Sequence, residues 1–215
     1  MTDNEKIIQI ISIFDRLYPN AECSLEYHSP LQLLISTQLA AQCTDARVNI
    51  VAKNLYNKYK TAEDFANADL EELEADVKST GFYRNKSKNI IACCKILVEK
   101  YNGKIPDNMD QLLELPGVGR KTANLVLYEI YGVQGIVVDT HAKRLSNRIG
   151  LSKNDDPEKI EYDLQKIVPK SRWADFCHKL VFHGREVCKA RKPECQNCEI
   201  RQFCNYYTKI NGNSY

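Results

Sequence analysis

The stretch MDQLLELPGVGRKTANLVLYEIY, residues 109–131, decides how the chain is read. Apolar residues recur at helical spacing from Met109 to Leu115 and again from Lys121 to Tyr131. Between them lies Leu115-Pro116-Gly117-Val118-Gly119-Arg120-Lys121. Two glycines spaced by one residue let the backbone turn tightly and bring bare amides close to an anion. The pattern predicts a helix-hairpin-helix, which can grip a DNA phosphate without reading bases. A nucleotide-binding glycine loop would follow a buried strand, and none precedes this turn. A plain connector between helices is the other reading this segment allows. Gly117, Val118, Gly119 and Arg120 are thus candidate phosphate contacts. Lys121 closes the turn, and Asp139 follows eighteen positions later in Val137-Val138-Asp139-Thr140-His141.

A second signal lies near the C-terminus. Cys188, Cys195, Cys198 and Cys204 are spaced C-x6-C-x2-C-x5-C and close within 17 residues. Four thiolates joined by such short loops can surround one metal centre. Disulfides suit neither an odd total of nine cysteines nor an opening, Met1-Thr2-Asp3-Asn4-Glu5-Lys6, without a signal-peptide charge pattern. Zinc accepts four cysteines well, although it commonly uses two C-x2-C knuckles and only one is present. An iron–sulfur cluster accepts them equally well. Spacing alone leaves the two metals level. Cys23, Cys43, Cys93, Cys94 and Cys177 show no ligand spacing and read as small packing residues. His178 and His183 flank the segment and are of ligand type, but four cysteines already suffice.

Taken together, the hairpin with its lysine, the Val-Asp-Thr-His segment and the cysteine tail resemble the endonuclease III family. These are iron–sulfur, helix-hairpin-helix DNA glycosylases and lyases acting on oxidised pyrimidines. The likeness runs from the first helix to about Tyr207. It is the resemblance, and not the spacing, that implies a [4Fe–4S] cluster on Cys188, Cys195, Cys198 and Cys204. It also implies two lobes with a DNA-binding cleft between them. One is a six-helix lobe over residues 23–133; the other joins 1–22 to 134–215 and carries the cluster loop 188–204.

The family's roles then fall on matching positions. Lys121 is expected to attack the anomeric carbon of an extrahelical nucleotide, and Asp139 to stabilise developing positive charge and assist proton transfer. Asp139 could equally be the N-cap of the helix that follows it, and both roles can coexist. His141 is expected to support the site or touch phosphate, with Arg144 as a further DNA contact. Gln42, in Leu39-Ala40-Ala41-Gln42-Cys43-Thr44-Asp45, matches the glutamine inserted where the target base leaves the stack. Phe82, in Gly81-Phe82-Tyr83, matches a second wedge loop, although an aromatic there could also be a core plug. Two readings compete with this one. A related glycosylase without lyase activity would usually lack the lysine at 121. A non-catalytic DNA-binding protein would have no use for the carboxylate at 139.

Composition agrees with such a protein. Of 215 residues 43% are hydrophobic, enough for a substantial core, and no apolar run approaches the ~20 residues of a membrane span. Net charge is only +2, but it is unevenly spread. Residues 61–76 hold seven acidic side chains and no basic one, whereas Arg84, Lys86, Lys88, Lys95, Lys100 and Lys104 face only Glu99 across residues 84–104. Arg84 and Lys86, near the wedge loop, and Lys189, Arg191 and Lys192, between Cys188 and Cys195, are candidate phosphate contacts. Damaged double-stranded DNA is the expected partner and a monomer the expected state. The expected location is a prokaryotic cytoplasm, at the nucleoid.

Helical patterning extends almost throughout. It covers about 4–18, 30–39, 45–59, 69–77, 86–102, 109–115, 120–131, 140–149, 157–168 and 171–186. Ile136-Val137-Val138 is the one β-like run and is too short for a sheet. The fold is expected to be all-α.

Overall fold

The structure, a computed structural model, describes residues 2–212; Met1 and residues 213–215 lie outside it. It is all helical, with no strand among the described residues. Cys23–Val133 forms one compact unit, and the chain on either side of it forms a second.

Helix starts in the first unit follow side chains that replace missing backbone partners. Ser29 caps α2 (Pro30–Leu39), whose first residue is a proline with its φ already helical. Thr44 caps α3 (Asp45–Lys58), and Asp69 caps α5 (Leu70–Val77). Between these, Thr61 and Asp64 form a reciprocal box that starts the short α4 (Ala62–Ala66). α6 (Tyr83–Tyr101), α7 (Met109–Leu113) and α8 (Arg120–Tyr131) complete the unit. α6 turns Ile90, Cys93, Cys94 and Leu97 inward, where they meet Leu33, Leu34, Phe65, Leu73, Leu112 and Val126 in one buried core. α2 packs on α8 and α7 precedes it closely, which fixes the hairpin to that core.

The second unit contains α1 (Asp3–Leu17), α9 (Thr140–Ile149), α10 (Pro157–Ile167), α11 (Trp173–Glu186) and α12 (Asn205–Gly212). Thr2 and Glu5 cap α1 reciprocally, and Asp156 caps α10. Ile7, Ile10 and Phe14 of α1 pack with Leu145, Ile160, Leu164, Phe176 and Leu180. Ile200 and Phe203, from the cysteine-bearing tail, are buried in the same core.

The departures from expectation are local. α6 starts at Tyr83 rather than 86, because Gly81 and Phe82 both adopt positive φ and deliver the chain directly into it. α4 is too short to show a hydrophobic period, although its Thr-x-x-Asp box is visible in the sequence. α12 lies beyond the last expected helix. Ile136 and Val138 are buried as extended chain without strand pairing. No helix among the described residues is long and apolar enough to cross a membrane.

Candidate functional site

The hairpin is a tight turn from Leu115 to the first residue of α8. Gly117 adopts φ +78°, and a Cβ there would lie 2.7 Å from the Gln38 side-chain oxygen and 3.0 Å from the Asn89 Cβ. The turn therefore needs glycine both for its angle and for its close approach to α2 and α6. Val118 closes the turn with its N–H on the Leu115 carbonyl (3.0 Å) and points its side chain into the core. It shapes the hairpin rather than offering that amide outward, which corrects its expected role as a phosphate contact. Gly119 is the N-cap of α8 and brings no capping side chain. A helix N-terminus without an internal cap presents N–H groups and a positive dipole end to an anion. Lys121 is exposed on that first turn.

Two further loops of the same unit adjoin it. Gln42 and Phe82 are exposed non-glycine residues held at φ +54° and +48°. Such angles cost about 1–2 kcal/mol each and concentrate where function requires a particular projection. Phe82 is 63% exposed, so it is not a core plug. Gln38, Ala41, Gln42, Phe82, Asn85, Lys86, Asn89 and Gly117 line one open recess, which brings both candidate wedges and the hairpin glycine together. Gln38 was not singled out in the sequence; a glutamine among Leu33, Leu34, Ile35 and Leu39 was the available signal.

Lys86 departs from its expected role as a phosphate contact. It is 6% exposed, and its ammonium donates to the carbonyls of Leu39 and Thr80, both at 2.8 Å. Burial lowers its pKa, but two carbonyl partners keep it in place. It fastens the end of α2 to the turn before α6, holding the loops that carry Gln42 and Phe82. Arg84, by contrast, is exposed, with its guanidinium 5.7 Å from the centre of the Tyr83 ring.

In the second unit, Asp139 is the N-cap of α9. One carboxylate oxygen accepts from the N–H groups of His141 (2.9 Å) and Ala142 (2.7 Å); the other lies 3.1 Å from His141 Nδ1. The cap and a carboxylate–imidazole pair coexist on one side chain. Arg144, expected on DNA, instead bonds the carbonyls of Gly184 and Cys188, anchoring the end of α11 and the start of the cysteine loop. Burial lowers its pKa from the usual arginine value.

Cys188, Cys195, Cys198 and Cys204 line one pocket together with Leu145, Ile149 and His183. Among the described residues, no three Cys, His, Asp or Glu side chains converge closely enough to hold a single ion. Burial, and then the neighbouring Cys204, Cys188 and Cys195 sulfurs, push the Cys198 thiol up to about 11. Ionising Cys198 is therefore favoured by a positive occupant. Arg148, missed in the sequence, donates to Cys188 Sγ (3.3 Å) and to the Lys189 and Ala190 carbonyls. His183 is not arranged as a fifth ligand: its Nδ1 meets the Tyr18 hydroxyl (2.9 Å) and its Nε2 faces Cys198 Sγ (3.5 Å). Burial lowers its pKa to about 4, so the ring is neutral near pH 7. Arg191 and Lys192 are exposed on the loop, Lys192 at φ +54°, while Lys189 pairs with Glu194 at 2.6 Å.

Residues 35–170 match the HhH-GPD superfamily of base excision DNA repair proteins. Endonuclease III of Synechocystis is 48% identical over 201 residues, covering 93% of this chain and 92% of that protein. Endonuclease III of Bacillus subtilis is 46% identical over 189 residues, 87% of this chain and 86% of that protein. Among solved structures, a non-covalent endonuclease III–DNA complex superposes with a TM-score of 0.94 at 42% identity, covering 99% of this chain and 100% of that one. A trapped endonuclease III–DNA covalent intermediate gives 0.94 at 43%, covering 98% and 99%. With a hairpin lysine, a capping aspartate and a four-cysteine cavity on the positions that these similarities span, the chain belongs to the endonuclease III family of the HhH-GPD superfamily.

Proposed function

We propose that this protein is a bifunctional DNA glycosylase and abasic-site lyase of base excision repair, acting on oxidised pyrimidines in duplex DNA. The observation that carries the chemistry is Lys121, an exposed amine on the first turn of a helix whose N-terminus carries no side-chain cap. A relative trapped as a covalent DNA intermediate supports a nucleophilic route.

The target nucleotide leaves the stack, and Gln42 and Phe82 fill the gap it leaves. The free amine of Lys121 attacks C1′, and the bond from C1′ to the base breaks as the base departs with a proton. The sugar ring opens to an iminium linking the lysine nitrogen to C1′. That iminium acidifies C2′–H; loss of the proton forms a carbon–carbon double bond and expels the 3′ phosphate by β-elimination. Water then hydrolyses the iminium and returns the lysine. Asp139 stabilises positive charge growing on the sugar and moves protons in these steps, while His141 holds its second oxygen. Gly117, Gly119 and the start of α8 hold backbone phosphate, aided by Arg120, Arg84, Arg191 and Lys192. Damaged double-stranded DNA is the substrate, bound by a monomer.

Cys188, Cys195, Cys198 and Cys204 would hold a [4Fe–4S] cluster. Four cysteines lining one pocket, in a chain of the endonuclease III family, support the cluster over a zinc ion. When bound, the cluster would be fully ligated, leaving no open position for substrate, and would shape the basic loop between Cys188 and Cys195.

Borohydride trapping on a duplex with one thymine glycol tests the assignment. The parent should form a covalent adduct, and Lys121→Gln should form none while still binding the duplex. Base release by the parent without an adduct would indicate a water-activating glycosylase instead. Cleavage by Lys121→Gln at the parental rate would remove the nucleophile assignment.

A further inference from the structure

We propose that His183, oriented by Tyr18, donates an N–H···S hydrogen bond to Cys198 and thereby raises the reduction potential of the cluster. The proposal rests on the [4Fe–4S] reading above and extends it to residues that do not ligate the metal.

His183 lies on α11 and is 1% exposed; Tyr18 is the C-cap of α1 and is buried as well. Phe14 packs against the imidazole with ring centres 5.0 Å apart, and the Tyr18 ring meets it edge-on at 5.9 Å. The ring is therefore held on two sides by aromatic surface and at both nitrogens by polar partners. A neutral imidazole carries one N–H, and its position is set by what the other nitrogen meets. With the Tyr18 hydroxyl donating to Nδ1 at 2.9 Å, Nε2 carries the hydrogen and points it at Cys198 Sγ, 3.5 Å away. The opposite tautomer would set the Nε2 lone pair against a ligating thiolate, where the two repel.

The backbone of the same residue is equally committed. Its carbonyl accepts from the N–H groups of Val187 (3.0 Å) and Cys188 (2.8 Å), so His183 links two of the four cysteines. This site differs from that of Arg148, whose guanidinium is partly exposed and divides its hydrogen bonds between Cys188 Sγ and two carbonyls. Water competes for a donor at the surface; it does not reach one enclosed by Phe14 and Tyr18.

A hydrogen bond to a ligand sulfur withdraws charge from it. Reduction adds charge to the cluster, so the bond is stronger in the reduced state and raises the potential. Removing a single buried donor should shift the reduction equilibrium on the order of tenfold, which is ~59 mV for one electron.

The test is a redox titration of the cluster-loaded protein by film voltammetry, with iron and sulfide measured on each sample. His183→Leu should lower the potential by that order. His183→Gln, whose side-chain N–H can occupy the place of Nε2, should restore most of it. Tyr18→Phe removes the hydroxyl that fixes the tautomer and should shift the potential in the same direction by less; it carries the test if His183→Leu does not fold. Metal–sulfur stretching frequencies should move in His183→Leu and Tyr18→Phe and return in His183→Gln. Parental potentials in His183→Leu or Tyr18→Phe at full iron and sulfide would overturn this proposal alone. Stoichiometric zinc without iron in the parent would overturn the cluster reading and this proposal with it.

Discussion

At Asp139 the cap and the chemistry call on different properties of one side chain. Capping needs an oxygen to accept from the His141 and Ala142 amides, and asparagine supplies one almost as well as aspartate. Stabilising positive charge and accepting protons require the carboxylate. Asp139→Asn should therefore melt close to the parent yet release base roughly 10²–10⁴-fold more slowly, the range expected for loss of a general acid–base group. Asp139→Ala should lose both, with an added stability cost of about 1 kcal/mol. Single-turnover base release and thermal melting on both variants separate the two contributions; equal rates for Asp139→Asn and the parent would leave Asp139 only its cap. Lys121 and Asp139 stand out by type and spacing, whereas Lys86 and Arg144 look like any other basic residue. What separates them from Arg84 is burial beside backbone carbonyls from distant segments, and that exists only once α2 meets α6 and α9 meets α11.

Helices were legible where a period and a cap coincide. Ser29-Pro30 marks the start of α2 to the residue, and apolar positions recurring at helical spacing carry α8. α4 is five residues long, less than two turns, so no period can form and only its capping box announces it. The hairpin between α7 and α8 shows most sharply how element geometry constrains sequence, because its two glycines are not equivalent. Gly117 needs a positive φ and has no space for a Cβ, whereas Gly119 sits at φ −100° with nothing within 4 Å of a Cβ built there. Gly117→Ala should cost at least about 1–2 kcal/mol in backbone strain alone and displace Gln38 or Asn89. Gly119→Ala should cost less, about 0.5–1 kcal/mol, since alanine is a poorer N-cap than glycine but displaces no neighbour. Chemical denaturation with duplex-binding titrations checks both. If Gly117→Ala were as stable as Gly119→Ala, the enclosed geometry of the turn would be wrong.

On the scale of the whole chain, two units with separate cores make different demands on the cysteine cavity. Cys23–Val133 buries its own core from Leu25 to Leu127 and contains none of Cys188, Cys195, Cys198 and Cys204. The other unit buries Ile200 and Phe203 beside Leu145 and Phe176, yet the chain from Cys195 to Cys204 supplies little more than two 3-10 turns to hold them. The order of that segment must come from the core it enters and from whatever gathers the thiols, because short segments without a period do not fold alone. The sequence could show the cysteine spacing but not this dependence, which follows from Ile200 and Phe203 entering a core begun by α1 nearly 190 residues earlier. If the four cysteines hold the proposed cluster, removing it by chelation, or replacing Cys198 with Ser, should therefore loosen one unit selectively. Hydrogen exchange should show lost protection in α1, α9 and α11, while α2, α6 and α8 retain theirs. Thermal unfolding should split into two transitions instead of one, with the lower assigned to the cysteine-bearing unit. Uniform loss of protection across both units would mean that the metal supports the whole fold, and that the two cores do not stand as separate cooperative units.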